Sequence, residues 1–415
     1  MEVSELKAKA IAEIDRRRDE IVGISCRIHA NPELAFQEHQ AAEWLSGWLE
    51  ANGFEVERGI ADLPTAFRAT LRGSGEGPAI AILGEYDALP KIGHACGHNI
   101  IGTAAAAAAI ALRPLMDQLP GRVIVLGTPA EESGGGKIIM IERGAFAGID
   151  AAMMVHPGNS HRVANRALAS VMMDVEFVGK AAHAASRPEE GINALDGLIL
   201  SYNNINALRQ HIRSDSRIHG IITHGGEAAN VVPSFAAGRF MVRAADDDYL
   251  DVLLAKVTQC FEAGAQGSGA SVSYRMLETR YASLRTNASL ARAFLENLVA
   301  LGISVEPPEA GSMRGIGSTD MGNVSHVMPA IHPTVAITTE EVLGHSPEFA
   351  AAAVGEQGQH GLLLAAKAMA MTAIDLLSDA ELISRAREEF GASVAAEGSV
   401  RQGRGAPASE EPVSG

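Results

Sequence analysis

A short segment, residues 93–102, combines the residue types that bind transition metals. It reads Gly-His-Ala-Cys-Gly-His-Asn-Ile-Ile-Gly, so Cys96, one of only three cysteines in the chain, lies between His94 and His98. Thiolate and imidazole groups are both preferred ligands of zinc-like ions. The segment indicates a metal site, and a buried structural cysteine with incidental histidines is the alternative that it leaves open when taken alone.

Further candidate ligands follow short apolar runs that are typical of buried strands. The runs cover residues 79–83, 122–126, 151–155 and 334–338, and they alternate with helical patterns. This alternation predicts an α/β fold with a mostly parallel sheet, covered by helices on both faces. Each run is followed by polar side chains, in the order Asp87 and Cys96, then Glu131 and Glu132, then His156, then His345.

In a parallel sheet these positions lie together, because the carboxyl ends of the strands meet at one edge. Convergence of thiol, imidazole and carboxylate groups at that edge predicts a metal centre. Each residue also has a simpler interpretation. His156 or His345 alone could be a surface or capping histidine, and Glu131 with Glu132 could begin a solvated helix.

Composition limits the classes of protein that the chain can represent. Its 415 residues exceed what one hydrophobic core usually supports, so we expect two domains. With 47% hydrophobic and 20% charged residues, the composition is typical of a soluble enzyme. The formal net charge of −16 disfavours nucleic acid and anionic membranes as partners. The first residues do not resemble a secretory signal and the cysteines are few, so we expect a cytoplasmic protein.

The predicted elements divide the chain into a catalytic domain with an insertion. Residues 1–169 and 283–390 carry the strand and helix alternation and are assigned to a metal-binding catalytic domain. Residues 170–282 show strand-like alternation with helical stretches at 193–211 and 247–262, which predicts an inserted α+β lid or dimerisation domain. Residues 391–415 are rich in Gly, Ser, Ala, Glu and Pro, and we expect a disordered tail there.

A series of motifs gives the chain a family resemblance over roughly residues 20–377. In order along the sequence they are HANPELAFQEHQAAEWL (29–45), GEYDALPKIGHACGHN (84–99), TPAEESGGGK (128–137), MMVHPG (153–158), GKAAHAASRPEEGINALD (179–196), GGEAANVVP (225–233), GSTDMGNVSHVMPAIHP (317–333) and GHSPEF (344–349). The chain resembles the aminoacylase and carboxypeptidase G-like amidohydrolases. It is most similar to their aminobenzoyl-glutamate hydrolase and β-alanyl dipeptidase branch, because Asn99 stands where the auxin-conjugate and hippurate hydrolases typically carry aspartate.

The resemblance implies a zinc-peptidase-like catalytic domain with two divalent metal ions, zinc or manganese. By the family pattern Cys96 bridges the two ions, and Glu131 is the general base that takes a proton from the attacking water and returns it to the amine. Asp87 resembles a residue that orients a ligand, or it stabilises the local turn. The metal ligands implied by the resemblance are Cys96, His98, Glu132, His156 and His345.

The resemblance also implies roles for residues of the inserted domain. His183 resembles a histidine that relatives bring into the active site of the opposite subunit, where it donates to the oxyanion, so we expect a homodimer formed through this domain. Asn230 resembles a residue that helps hold the substrate carboxylate. Arg239 and Arg243 share one face of a predicted strand, and either could bind a carboxylate, although a solvated sheet edge explains them equally well.

These expectations favour a metal-dependent amidohydrolase that acts on small N-acyl amino acids or dipeptides with a free carboxylate. The first alternative is a non-catalytic metal-binding sensor or scaffold with the same fold, which would not need Glu131 beside the ligand Glu132. The second is a nucleotide-binding oxidoreductase. Its glycine-rich turn should follow a strand, whereas residues 73–77 precede one.

Overall fold

The computed structural model describes residues 2–305, 317–339 and 341–403. Helices cover much of this part of the chain. They are α1 (Val3–Arg16), α2 (Arg18–Ala30), α3 (His39–Ala51), α4 (His98–Leu112), α5 (Gly136–Glu142), α6 (Ala194–Leu208), α7 (Asp247–Ser268), α8 (Ala288–Ala300), α9 (Met321–Ser325), α10 (Pro347–Ala352), α11 (Glu356–Ser378) and α12 (Ala380–Gly403). The strands are β1 (Glu55–Arg58), β2 (Phe67–Arg72), β3 (Ala79–Gly84), β4 (Arg122–Gly127), β5 (Ala151–Met153), β6 (His156–Gly158), β7 (Ala169–Val178), β8 (Arg217–His224), β9 (Phe235–Ala244), β10 (Ser271–Tyr281), β11 (Ala330–Ile331) and β12 (Thr334–Ala336).

The main sheet has the strand order β1-β2-β4-β3-β5-β11. The neighbouring strands β4, β3, β5 and β11 pair in parallel. At one edge of the sheet, β2 pairs antiparallel with both β4 and β1. The α/β class and the mostly parallel sheet built from both ends of the chain are therefore confirmed. Strand β3 is buried along its whole length, which explains its continuous apolar sequence.

The strand expected at residues 334–338 belongs to a different sheet from the one predicted. Strand β12 pairs with β6 in a separate two-stranded sheet, with Thr334 opposite His156. The chain joins the main sheet earlier, through the two residues of β11. Pro333 separates β11 from β12, because proline has no N–H group to continue the ladder.

Helix α4 is the central helix of the catalytic domain and carries His98 at its first turn. Gly97 precedes it with φ = 79°, a left-handed conformation that favours glycine. All the side chains of α4 are buried, and its six consecutive alanines at 104–109 allow close packing against β3 and α11. The segments His98–Gln118 and Glu356–Ser378 are long and apolar enough to cross a membrane, but 89% and 83% of their apolar windows are buried inside the protein. Both therefore have the burial expected of core helices.

The inserted region forms a second sheet with its own core. Its strand order is β10-β7-β9-β8, and every neighbouring pair is antiparallel. Helices α6 and α7 pack together and against this sheet, enclosing Phe177, Phe240 and Phe261. Along β9, Phe240 and Val242 are buried. Arg239 and Arg243 alternate with them and so lie on the other face of the sheet.

The C-terminal region differs from the sequence expectation. Helix α12 continues to Gly403, whereas the sequence predicts a disordered tail from residue 391. Leu382, Ile383 and Ala386 anchor the first turns of α12 in the catalytic core. The expectation of disorder gave too little weight to the high helix propensity of the alanines and glutamate at 395–397, which extend an established helix. Residues 404–415 lie outside the described residues.

Candidate metal centre

The structure brings the five predicted ligands together at the carboxyl edge of the main sheet. Cys96 and His98 follow β3, Glu132 follows β4, His156 follows β5, and His345 lies between β12 and α10. We call these residues the five-residue cluster. Their ligand atoms form two groups, and within each group the atoms lie within 4.8 Å of one another. The first group is Cys96, His98 and His156, and the second is Cys96, Glu132 and His345.

Two histidines of the cluster are oriented by hydrogen bonds on their outer nitrogens. His98 Nδ1 donates to Asp87 Oδ1 at 2.9 Å, and His156 Nδ1 donates to the carbonyl oxygen of Pro157 at 2.6 Å. Because each Nδ1 is already engaged in a hydrogen bond, Nε2 is the ring nitrogen left to face a cation. His156 Nε2 lies 3.4 Å from Cys96 Sγ. Both imidazoles are therefore oriented as metal-binding histidines usually are, with the outer nitrogen hydrogen-bonded.

Asp87 also connects the two halves of the cluster. Its Oδ2 accepts a hydrogen bond from the backbone N–H of Glu132 at 3.0 Å. Burial would raise the pKa of Asp87, but His98 outweighs it and lowers that pKa below its ordinary value. Burial likewise lowers the pKa of His156, with His98 adding to the effect. These shifts keep the Asp87 carboxylate charged and the His156 ring neutral.

His345 enters the cluster from a strained backbone position. Its φ is +61°, a left-handed conformation that is unfavourable for a residue other than glycine. The hydrogen bond from its N–H to the carbonyl oxygen of Ala95, at 2.9 Å, holds the loop in place. His345 Nε2 lies 3.4 Å from Glu132 Oε1. Backbone strain of this kind concentrates at functional sites, and here it directs the imidazole towards Glu132.

The cluster fits a pair of divalent cations. His98 Nε2 and Glu132 Oε1 are buried and have no hydrogen-bond partner among the described residues, which is costly unless a ligand satisfies them. The donor set of one thiolate, three imidazoles and one carboxylate suits zinc-like ions. Cys96 belongs to both groups, so its sulfur would be available to both cations when they are bound.

Glu131, the predicted base, lies beside the cluster rather than in it. Ligand atoms of the Glu131 carboxylate, the Glu85 carboxylate and the His98 ring lie within 4.8 Å of one another. Burial raises the pKa of Glu131 well above its ordinary value, and the neighbouring Glu85 and Asp320 carboxylates add to the effect. A carboxylate with a raised pKa next to a metal site is suited to proton transfer.

The turn that carries Glu131 is held from several directions. Tyr281 Oη donates to the carbonyl oxygen of Glu131 at 2.9 Å, and Glu38 Oε1 accepts the N–H of Ala130 at 2.9 Å. Ala130 itself has φ = +61°. A Cβ atom on Gly136 would lie 1.8 Å from the carbonyl oxygen of Pro129, so only glycine allows this turn to close. Gly136, in the glycine run that follows the two glutamates, is therefore required for steric reasons.

Sequence reasoning missed several buried charged residues next to the centre. Glu85, Lys137 and Asp320 form a fully buried ion-paired group, and Glu38 is completely buried beneath the Glu131 turn. Their motifs, GEYD, GGGK and GSTD, are visible in the sequence. Their mutual contacts are not, because up to 183 residues separate the partners along the chain.

The structure brings together two of the four predicted residues of the inserted domain. His183 forms an isolated β-bridge with Val231, and the N–H of Ala184 donates to the carbonyl oxygen of Asn230. His183 Nδ1 accepts from the N–H groups of Ala185 and Ser186 at 3.2 and 3.3 Å. Its hydrogen is therefore on Nε2, which can donate.

The two arginines of β9 have different surroundings. Arg239 binds Asp174 with two nitrogens, at 2.6 and 3.1 Å, so its guanidinium already holds a carboxylate. Arg243 contacts the sulfur of Met241 and forms no ion pair within the part of the chain that the structure describes. Burial lowers the pKa of Arg243. Among the described residues, neither arginine, nor His183 or Asn230, contacts the five-residue cluster through a hydrogen bond or ion pair.

The fold and the site together define a metallohydrolase of the α/β class, and comparison with known proteins gives its family. Residues 81–353 match Peptidase family M20/M25/M40. The chain is 40% identical over 402 residues to the Xaa-Arg dipeptidase of Mus musculus, covering 94% of this chain and 93% of that protein. The chain belongs to this peptidase family and is a metal-dependent hydrolase.

Two further comparisons agree with this assignment. A p-aminobenzoyl-glutamate hydrolase component from Escherichia coli is 31% identical over 453 residues, with 91% of this chain and 92% of that protein covered. A dinuclear metal binding peptidase of the M20 family from Bacillus subtilis shares the fold with a TM-score of 0.69 and 20% identity, over 88% of this chain and 99% of that chain. The resemblance found in the sequence is therefore confirmed.

Proposed function

We propose that the protein hydrolyses the amide bond of small N-acyl amino acids or dipeptides and releases an amino acid with a free carboxylate. The observation that carries this proposal is the sharing of Cys96 between two ligand groups, with the Glu131 carboxylate beside them. The named activities of the relatives support the substrate class. Both Xaa-Arg dipeptides and aminobenzoyl-glutamate are amides that end in an amino acid.

In this proposal the five-residue cluster holds two divalent cations, zinc or manganese. When bound, such ions polarise a carbonyl oxygen and make water a better nucleophile near neutral pH. Glu131 takes a proton from the attacking water at its carboxylate and delivers it to the departing amine. His183 Nε2–H donates to the oxygen that becomes negative in the tetrahedral state. Asp87 keeps His98 and the Glu132 backbone in position throughout.

The experiment that tests the proposal exchanges the two adjacent glutamates separately. Glu131→Gln should leave the metal content intact and lower kcat by at least about 100-fold, because a positioned base is lost. Glu132→Gln is the matched control and should reduce metal content as well as activity. Metal is measured by elemental analysis, and hydrolysis by mass spectrometry on aminobenzoyl-glutamate and β-alanyl dipeptides. Loss of metal from Glu131→Gln with retention in Glu132→Gln would reverse the two roles.

The proposal includes a homodimer formed through the inserted domain. Strand β8 is an edge of the second sheet, and it exposes Ile221 and Ile222 at 61% and 44%. An exposed apolar edge strand presents unpaired N–H and C=O groups that can pair with a strand of another chain. A second copy of the chain meets this need and allows His183 to enter the neighbouring active site.

A further inference from the structure

A buried group of three charged side chains lies next to the five-residue cluster and has no part in the mechanism above. Lys137 from α5 contacts Glu85, which follows β3, through its Nζ, and Asp320, which precedes α9, at 2.7 Å. All three side chains are at most 1% exposed. Two carboxylates and one ammonium leave one net negative charge in the protein interior. Buried ion groups of this kind need full satisfaction of their oxygens to be stable.

The two carboxylates of this group are not equally satisfied. Both oxygens of Asp320 bind Lys137, one through Nζ and the other through the backbone N–H at 3.0 Å. Only Oε1 of Glu85 binds Lys137. Among the described residues, Glu85 Oε2 is buried without a hydrogen-bond partner, and it lies 3.5 Å from His98 Nε2. Glu85 therefore presents one anionic oxygen to the metal cluster.

His98 Nε2, like Glu85 Oε2, is buried without a hydrogen-bond partner among the described residues. His98 Nδ1 is already hydrogen-bonded to Asp87, so Nε2 is the ring nitrogen left to hold a cation. Ligand atoms of Glu85, His98 and Glu131 lie within 4.8 Å of one another, which is the spacing of a group that can hold one cation. His98 already belongs to the first ligand group, so a cation held there is within reach of Glu85.

We propose that Glu85 is an additional carboxylate of the metal centre, which contacts the cation held by His98, and that Lys137 is its positioning residue. Lys137 fixes Oε1 and thereby directs Oε2 towards His98. Asp320 is the second carboxylate partner of Lys137 and belongs to none of the candidate ligand groups. This inference rests on the two-cation site of the proposed function and adds a ligand that the five-residue cluster does not contain.

Two matched variants test the inference. Each removes one of the two carboxylate charges beside Lys137, but only the Glu85 carboxylate faces His98. Metal-free wild type, Glu85→Gln and Asp320→Asn are titrated with Zn²⁺ against a chelating indicator and with Co²⁺ by visible absorption. Glu85→Gln should bind one of the two ions about 10- to 100-fold more weakly, the range found when residues that support ligands are lost, and should shift the Co²⁺ spectrum. Asp320→Asn should keep wild-type affinity and spectrum.

Thermal unfolding of the metal-free proteins separates binding from folding. If Glu85→Gln does not fold, Glu85→Asp keeps the charge beside Lys137 but withdraws the carboxylate from His98, and it should show the same weakened ion. Equal affinities in wild type and both Glu85 variants would overturn the inference, as would equal losses in Glu85→Gln and Asp320→Asn. A wild-type protein that binds no metal would instead overturn the proposed function.

Discussion

At the scale of single residues, the five-residue cluster is held in place by groups outside it. Asp87 fixes the tautomer of His98 with one oxygen and the Glu132 backbone with the other. Glu38 similarly accepts the N–H groups of Phe36 and Ala130, both of which have positive φ. Such residues stabilise strained backbone next to the five-residue cluster, so their substitution should weaken metal binding as well as lower stability.

Glu38 should make stability depend on pH in the opposite sense to a salt-bridged carboxylate. Burial raises the pKa of Glu38 from its ordinary 4.5 to about 7. Its contribution to folding is complete below pH 4.5 and is lost as pH rises to about 7, because the unfolded chain ionises more easily. The shift corresponds to about 3 kcal/mol.

Glu38→Gln removes this ionisation and keeps the carbonyl acceptor for both N–H groups. Relative to the wild type, the free energy of unfolding of the variant should therefore rise by about 3 kcal/mol as the pH increases from about 4.5 to 8. Urea denaturation of the metal-free proteins over this range measures it. Parallel pH profiles would show that Glu38 is not the responsible group.

At the scale of elements, the position of the centre depends on how closely α4 approaches β3. A Cβ atom on Gly102 would lie 2.9 Å from the carbonyl oxygen of Glu85 and 2.9 Å from Leu45 Cδ1. Gly84 faces Gly102 across the same contact, with 3.1 Å from an added Cβ to the Gly102 Cα. Since α4 begins with His98, any shift of the helix moves this histidine of the five-residue cluster.

Gly102→Ala should therefore destabilise the protein by about 1–3 kcal/mol through overpacking, and it should weaken metal binding. Gly23→Ala is a suitable control, because Gly23 is exposed on α2 with no atom within 4 Å of the added Cβ. Alanine there should stabilise by about 1 kcal/mol and leave metal binding unchanged. Calorimetry and metal titration of both variants check the opposite signs. A neutral Gly102→Ala would mean that α4 is free to move away from β3.

Elements with a strong local signal could be predicted from the sequence, and those defined by their partners could not. Strands β3 and β4 are continuous apolar runs bounded by polar loops, and α4 and α11 have clear composition signals. The sequence gives no comparable signal for β1, because this strand is mostly exposed and has no apolar run. The two residues of β11 become a strand only through their pairing with β5.

At the scale of the whole molecule, the same limit applies to the site. Four residues of the five-residue cluster could be predicted because each follows a recognisable strand of the main sheet, whose parallel strands bring such positions to one edge. His345 instead follows β12, which belongs to the separate two-stranded sheet. The buried group of Glu85, Lys137 and Asp320 could not, because nothing local indicates that residues 137 and 320 meet. The ion pair of Arg239 could not be predicted either, since its partner Asp174 lies on a neighbouring strand.

A whole-molecule prediction concerns catalysis across a dimer. If His183 acts on the active site of the neighbouring subunit, His183→Ala and Glu131→Gln chains are each inactive alone, but a mixed dimer contains one site with both groups intact. Mixing the two variants should therefore restore activity, up to about a quarter of the wild-type value per chain for random exchange. Native mass spectrometry verifies the exchange. Mixed dimers without activity would place His183 in its own chain's site or outside catalysis.

The proposed recognition of a substrate carboxylate would depend on the whole molecule, because it would require the inserted domain to approach the metal edge. Arg243 is the arginine of β9 without a carboxylate partner in the described chain, whereas Arg239 is held by Asp174. Arg243→Met should raise KM for a dipeptide by about 10- to 100-fold, the scale of one or two charge-assisted hydrogen bonds, and Arg239→Met should not. Amidation of the substrate carboxylate should lower kcat/KM of the wild type by a similar factor and add little in Arg243→Met. Equal turnover of acid and amide by the wild type would refute carboxylate recognition and leave the metal mechanism in place.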